Sequence, residues 1–256
     1  MPVVLVHGNP ETAAIWDDLI PLLQADEVIA LSPPGFGAPV PEGFGATSAE
    51  YAAWLARELQ QIDGPIDLVG HDWGAGHVMG LVNVAPGLVR SWASDIAGAL
   101  DPDYVWHDMA QTWQTPGAGE AAVAAMVDAP LEARAGIFVA NGARPELAER
   151  LAQGIDAEMG RCILALYRSA AQPALADFGA DLGGLASKPG LVIIATEDHF
   201  VGGEVLARRT AERAGAEIAM LPGLGHWWML QDPAAGAAVL NAFWATLGDG
   251  DGSSVS

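Results

Sequence analysis

Six short apolar runs rich in branched side chains punctuate this chain, and segments of helical character separate them. The runs are Val3-Val4-Leu5-Val6, Val28-Ile29-Ala30-Leu31, Ile66-Asp67-Leu68-Val69, Trp92-Ala93 with its flanks, Leu191-Val192-Ile193-Ile194 and Ile218-Ala219-Met220-Leu221. Continuous rather than alternating hydrophobicity suits strands covered on both faces. Helix-like segments run from Trp16 to Leu23, Ser48 to Gln61, Gly76 to Ala85, Glu204 to Ala214 and Ala234 to Leu247. Strands alternating with helices require right-handed crossovers, so the expected class is α/β: a mostly parallel sheet of about six strands flanked by helices. In such sheets reactive groups gather on loops at the carboxyl ends of the strands.

One stretch breaks the alternation. From about Leu100 to Ser187 there is no strand-like run, only helical segments rich in Ala, Leu, Glu and Arg. It reads as a helical cap, residues 100–187, inserted into a core made of 1–99 and 188–247. A cap covers a site and excludes water from it. The Gly, Asp and Ser residues of 248–256 read as a mobile tail.

Composition narrows the function. With 51% hydrophobic and 17% charged residues the chain fits a globular protein and not a disordered one. No apolar run reaches membrane-spanning length and no basic, then apolar, leader opens the sequence, so a cytoplasmic location is expected. A formal net charge of −21 argues against nucleic acid or an anionic membrane as a partner, and it repels anionic substrates. The expected partner is a small, apolar, uncharged substrate; the oligomeric state is left open. Cys162, the one cysteine, sits in an apolar stretch and reads as a buried, inert thiol. The six histidines show no paired spacing such as H-E-x-x-H, so neither a metal nor a cofactor is expected.

Gly70-His71-Asp72-Trp73-Gly74 follows the third run and precedes a helix. Small residues two positions either side of a central one permit a tight strand-turn-helix bend that lifts the central side chain above the sheet. Here that side chain is a carboxylate, a candidate nucleophile; the plainer alternative is a helix cap. Thr196-Glu197-Asp198-His199-Phe200 follows the fifth run and Gly225-His226-Trp227 the sixth, which orders a nucleophile, an acid and a histidine along the chain. Asp95, just past the fourth run, competes for the acid role, and Asp198 is preferred on that order. After the first run come His7-Gly8-Asn9-Pro10, where the backbone N–H of Asn9 and that of Trp73 could form an oxyanion hole. His7, His71 and His77 read as structural, and Ser32-Pro33-Pro34-Gly35-Phe36-Gly37 as a rigid turn without chemistry.

Taken together, His7 to Glu11, Gly70 to Gly74, Asp198 and Gly225-His226-Trp227 resemble the epoxide hydrolase and haloalkane dehalogenase branch of the α/β-hydrolase superfamily. The resemblance covers Val3 to about Leu247. It implies an α/β-hydrolase fold that begins at the family's third strand. It also implies an alkyl-enzyme ester on Asp72, hydrolysed by water that His226, held by Asp198, activates. Two activities follow from it. An epoxide hydrolase turning small apolar epoxides into diols would use Tyr167, in Leu166-Tyr167-Arg168, as one of two ring-opening acids. Counting back from Gln114-Thr115-Pro116-Gly117 puts Met109 where the other tyrosine belongs, with Tyr104 and His107 as nearby substitutes. A haloalkane dehalogenase would instead hold the leaving halide with Asn9 and the Trp73 indole. A non-catalytic ligand-binding module is the third reading, against which Asp72, Asp198 and His226 stand together.

Overall fold

The structure of the protein, a computed structural model, describes residues 1–248. Six strands form one sheet: β1 (Pro2–Val6), β2 (Glu27–Leu31), β3 (Asp67–Gly70), β4 (Ser91–Ser94), β5 (Gly190–Ala195) and β6 (Glu217–Leu221). Every pairing is parallel and the order across the sheet is β2-β1-β3-β4-β5-β6. The four inner strands carry the continuous apolar runs because helices cover both of their faces, and every residue of β3, β4 and β5 is buried. The edge strands β2 and β6 are only partly covered and each begins with an exposed glutamate.

Helices α1 (Ser48–Leu59) and α2 (Trp73–Val84) precede and follow β3. The N-terminus of α1 is closed by a capping box in which Thr47 and Glu50 satisfy each other's free backbone N–H groups. Between β4 and β5 the chain makes seven helices and, among the described residues, no strand: α3 (Asp108–Gln114), α4 (Ala118–Asp128), α5 (Leu131–Ala140), α6 (Pro145–Gln153), α7 (Ala157–Ser169), α8 (Ala174–Phe178) and α9 (Gly183–Ala186). In α7 the apolar residues Met159, Cys162, Ile163, Leu166 and Tyr167 recur at three- and four-residue intervals and form its buried face. Helices α10 (Gly203–Arg213), α11 (Trp228–Gln231) and α12 (Pro233–Thr246) complete the chain.

One expectation changes. The helix anticipated from Trp16 to Leu23 is instead a pair of short 3-10 turns, Ala13–Trp16 and Ile20–Leu22. Pro21 lacks an N–H and its ring clashes with the preceding turn, so an α-helix cannot run through it. Of the tail anticipated at 248–256, all but Gly248 lies outside the described residues. No helix among the described residues is long and apolar enough to cross a membrane. Three tryptophans, Trp16, Trp92 and Trp228, are fully buried in packing roles. Each removes about 200 Å² from water, an upper bound near 5 kcal/mol of stabilisation.

Candidate active site

The bend after β3 places Asp72 in a conformation that non-glycine residues rarely adopt, with φ 48° and ψ −129°. Such a backbone costs about 1–3 kcal/mol and persists only where its surroundings dictate it. Here they do. The His71 N–H donates to Val6 O at 2.9 Å, tying the bend to the end of β1, and the Asp72 N–H donates to Asp95 Oδ1 at 3.1 Å. Gly74 lets the first turn of α2 press on β1, since a Cβ there would lie 2.1 Å from Val6 O. Gly8 is needed from the other side, because its Cβ would meet Asp72 Oδ2 at 2.2 Å and Trp73 N at 2.6 Å.

The alternative of a capping aspartate does not hold: the Asp72 side chain makes no hydrogen bond to the N-terminus of α2. Its Oδ2 accepts instead from the Asn9 backbone N–H at 3.0 Å and from Asn9 Nδ2 at 3.2 Å. The other oxygen, Oδ1, faces His226 Nε2 at 3.8 Å, just beyond direct hydrogen-bond reach. Burial raises the pKa of Asp72, against the opposing pull of His226 and His71.

His226 lies in the loop after β6, and its Nδ1 pairs with Asp198 Oδ2 at 2.8 Å. Asp198 follows β5 and also accepts from Phe200 N at 2.9 Å. Burial by itself would lower the His226 pKa; the charge and hydrogen bond of Asp198 outweigh it and raise the value. The same pair holds Asp198 below its ordinary value, although burial pushes the other way. Asp72, Asp198 and His226, the candidate nucleophile, acid and base, thus come together from the ends of β3, β5 and β6.

Asp95 does not take the acid role. It accepts from His71 Nδ1 at 2.6 Å and from the Trp228 indole at 2.8 Å, and it is spent on those partners and on the Asp72 N–H. Beside it lies a group that sequence reasoning missed. Glu11, fully buried, accepts from His71 Nε2 at 3.1 Å, from the Trp227 indole at 2.5 Å and from Gly8 N at 3.3 Å. Burial would lower the His71 pKa, but carboxylates on both ring nitrogens raise it well above its ordinary value. The ring is therefore an imidazolium clamped between Glu11 and Asp95, its centroid 4.8 Å from that of His226. Glu11, His71 and His226 bring potential metal-ligand atoms within 4.8 Å of one another. Both His71 nitrogens are protonated and committed to carboxylates, so this set does not fit a metal. His7 differs: burial drops its pKa to about 4, and its neutral ring is held by Gly8 O and Ser32 Oγ.

Beside Asp72 sits Tyr167, from α7, buried and 3.4 Å from Asn9 Nδ2 through its hydroxyl oxygen. Burial and the nearby Asp72 charge push its pKa well up, partly offset by hydrogen bonds from Asn9 and Trp73, so it stays protonated. Among the described residues its own O–H meets no acceptor. Of the two substitutes for a second tyrosine, Tyr104 is spent, since its hydroxyl donates to Phe200 O at 2.7 Å. His107 lines the same cavity and its ring centroid is 6.4 Å from that of Tyr167. Its Nδ1 accepts from Ala110 N at 3.3 Å, which leaves Nε2 as the protonated nitrogen. Met109 is 48% exposed and takes no part. The cavity at Asp72 measures about 40 Å³ and is walled chiefly by Trp73, Trp106, Tyr104, Tyr167 and Phe200. The indole nitrogen of Trp106 is buried there without a partner.

Residues 3–239 match the family model described as the alpha/beta hydrolase family. No curated protein matches the chain by sequence. Among solved structures it is similar to haloalkane dehalogenase DbeA from Bradyrhizobium elkani, with TM-score 0.68 and 21% identity over 96% of this chain and 90% of that one. It is also similar to Cfl2 from Burkholderia cenocepacia (TM-score 0.73, 24% identity, 94% and 87% covered). An E-2-(acetamidomethylene)succinate hydrolase is comparable in fold (TM-score 0.70, 16% identity, 96% and 92% covered). At these identities the likeness is one of fold, and the roles of individual side chains rest on the geometry above.

Proposed function

The chain belongs to the alpha/beta hydrolase family, and from that premise we propose that it opens small, apolar, uncharged epoxides to diols through an ester on Asp72. The observation that carries this reading is the Tyr167 hydroxyl. It accepts from Asn9 and keeps its own proton free above the nucleophile. An epoxide oxygen leaves as an alkoxide and needs an acid; a halide needs only N–H donors.

In the first step Asp72 Oδ1 attacks a ring carbon, the C–O bond breaks, and the Tyr167 O–H gives its proton to the departing oxygen. Asn9 keeps Oδ2 in place, so the attacking lone pair is on the oxygen that faces the cavity. In the second step a water between His226 Nε2 and the ester loses a proton to His226 and adds to the Asp72 carbonyl carbon. Charge develops on Oδ2, already within reach of the Asn9 N–H, and one preorganised donor of that kind is worth about 3 kcal/mol. Collapse breaks the bond between the Asp72 carbonyl carbon and the substrate oxygen. That alkoxide takes the remaining proton of the attacking water to give the diol, and the proton held on His226 restores Tyr167, so the net change is addition of one water. The helices between β4 and β5 supply Tyr167 and serve as a lid that keeps bulk water from the ester.

A second reading has its own support. The indole groups of Trp73 and Trp106 line one cavity with Asp72, the Trp106 N–H has no acceptor among the described residues, and Asn9 Nδ2 reaches Asp72 from the side. Three such donors could hold a departing halide, which would make the protein a haloalkane dehalogenase.

The two are separated by His226→Gln, which permits ester formation and blocks its hydrolysis. Intact mass and peptide mapping after exposure to epoxides and, separately, to bromoalkanes read the result. A gain equal to the whole epoxide on Asp72, slowed about a hundredfold when Tyr167→Phe is added, is the expected outcome. A gain equal to an alkyl group without its halogen, and none from epoxides, transfers the site to the second reading.

A further inference from the structure

The cavity at Asp72 is too small to enclose a whole substrate. At about 40 Å³, against the 10–15 Å³ that one water-sized group occupies, it holds about three such groups. That is the size of the three-membered ring and little more. Many of its lining side chains are aromatic. A second hollow of about 200 Å³ opens beside the N-terminus of α1, and the two share three lining residues: Ser48 on α1 and Leu175 and Phe178 on α8. Leu175 is nearly buried and Phe178 half-buried, so the wall that the two hollows share is mostly apolar.

We propose that the inner cavity takes only the reacting ring and that the slot between Ser48, Leu175 and Phe178 threads a single unbranched apolar tail into the outer hollow. The substrate class is then terminal, monosubstituted epoxides. This rests on the ester chemistry of Asp72 and goes further, to the shape of what Asp72 can meet. A ring substituted on both carbons carries a second group, for which a cavity of about 40 Å³ has no space. A charged tail is disfavoured twice, by the apolar slot and, if anionic, by the chain's −21 charge.

The test uses full-length His226→Gln and measures the rate of ester formation by intact mass. The probes are the oxide of terminal octene, the oxide of internal trans-octene, which has the same composition, and propylene oxide. Each rate is divided by that of the same epoxide with acetate in water, which removes intrinsic reactivity. The terminal isomer is expected to label at least about tenfold faster than the internal one after that correction. Adding Leu175→Trp, which narrows the slot, is expected to lower the ratio of octene oxide to propylene oxide by about tenfold. Adding Phe178→Ala, at a half-buried position that tolerates truncation, widens it and brings the isomer ratio toward one. Melting curves identify any variant that fails to fold, and the other then carries the test. Equal corrected rates for the two isomers, or ratios that neither variant moves, overturn the proposal while leaving the Asp72 ester intact. Absence of an ester from every probe overturns the reading of Asp72 as a nucleophile, and this inference with it.

Discussion

Asp72 and His226 meet at 3.8 Å, and the protonation state of the histidine decides whether that meeting is productive. A base must be neutral to take a proton from water. Burial works toward neutrality and the Asp198 carboxylate works against it; the carboxylate wins, so the pKa lies above the ordinary 6.5. The ester removes the Asp72 charge, but the larger raising effects, the Asp198 charge and hydrogen bond, remain. Hydrolysis of the ester should therefore fall as pH drops through a value above 6.5, with the ester accumulating on the acid side. Asp198→Asn reverses the balance: burial then dominates and the acid limb moves to lower pH. The plateau rate also falls by up to about 10⁴, because the ring loses the acceptor that sets its tautomer. Single-turnover hydrolysis of a preformed ester across pH reads both changes. A limb that stays in place in Asp198→Asn would sink this assignment of the acid. The order of Asp72, Asp198 and His226 along the chain is legible because each follows an apolar run. The pairing of Glu11 with His71 is not, since nothing in the spacing of residues 11, 71 and 95 says that three loops converge.

That convergence belongs to the elements. Glu11 follows β1, His71 follows β3 and Asp95 follows β4, so one clamped imidazolium ties together the ends of three adjacent strands. A buried charge between two carboxylates holds only while all three are present, and removing one partner of such a group costs about 3–5 kcal/mol. His71→Gln should lower the melting temperature sharply, because it leaves Glu11 and Asp95 as unneutralised buried neighbours. Glu11→Gln with Asp95→Asn added to it should recover part of the loss, since no unpaired charge remains. A denaturant titration of the three variants measures this, and a His71→Gln protein as stable as the parent would show that the ring carries no charge. The same elements mark what the sequence makes readable. All six strands announce themselves because a parallel strand is apolar on both faces, even where Asp67 interrupts β3's run to pair with Arg90. The helix across Trp16 to Leu23 fails because hydrophobic periodicity there is read without the weight of Pro21. Tyr104 looks like a spare acid in sequence, and only the fold reveals that its hydroxyl already donates to Phe200 O.

At the scale of the whole molecule, 32 acidic residues face 11 basic ones, and self-repulsion of the net −21 charge opposes the compact state. Salt above about 0.1 M shortens the reach of that repulsion to about 10 Å or less, so melting temperature should rise with sodium chloride at neutral pH. Acid adds a second effect with the opposite sign. His7 and His77 are buried and neutral, and burial holds their pKa values at about 4 and about 3. In the unfolded chain they titrate near 6.5. Between those limits the unfolded state binds more protons than the folded one, so stability rises with pH and is lost as pH falls. The stability lost reaches at most about 1.4 kcal/mol per pH unit for each ring. His71 does not contribute in this window, because its raised pKa keeps it charged in the folded state here and its linkage acts at higher pH. Low salt mixes the two effects, since lowering pH also relieves repulsion among carboxylates. High salt separates them. Calorimetry in about 0.5 M sodium chloride, where charges more than a few ångströms apart are screened, should show melting temperature falling steadily from pH 6.5 toward 4. His77→Phe, which keeps an aromatic ring stacked between Tyr51 and Trp73, should flatten part of that slope. A melting temperature that does not change over this range in high salt would mean that both rings take up protons in the folded protein as readily as outside it, and that they are not the buried neutral groups described above.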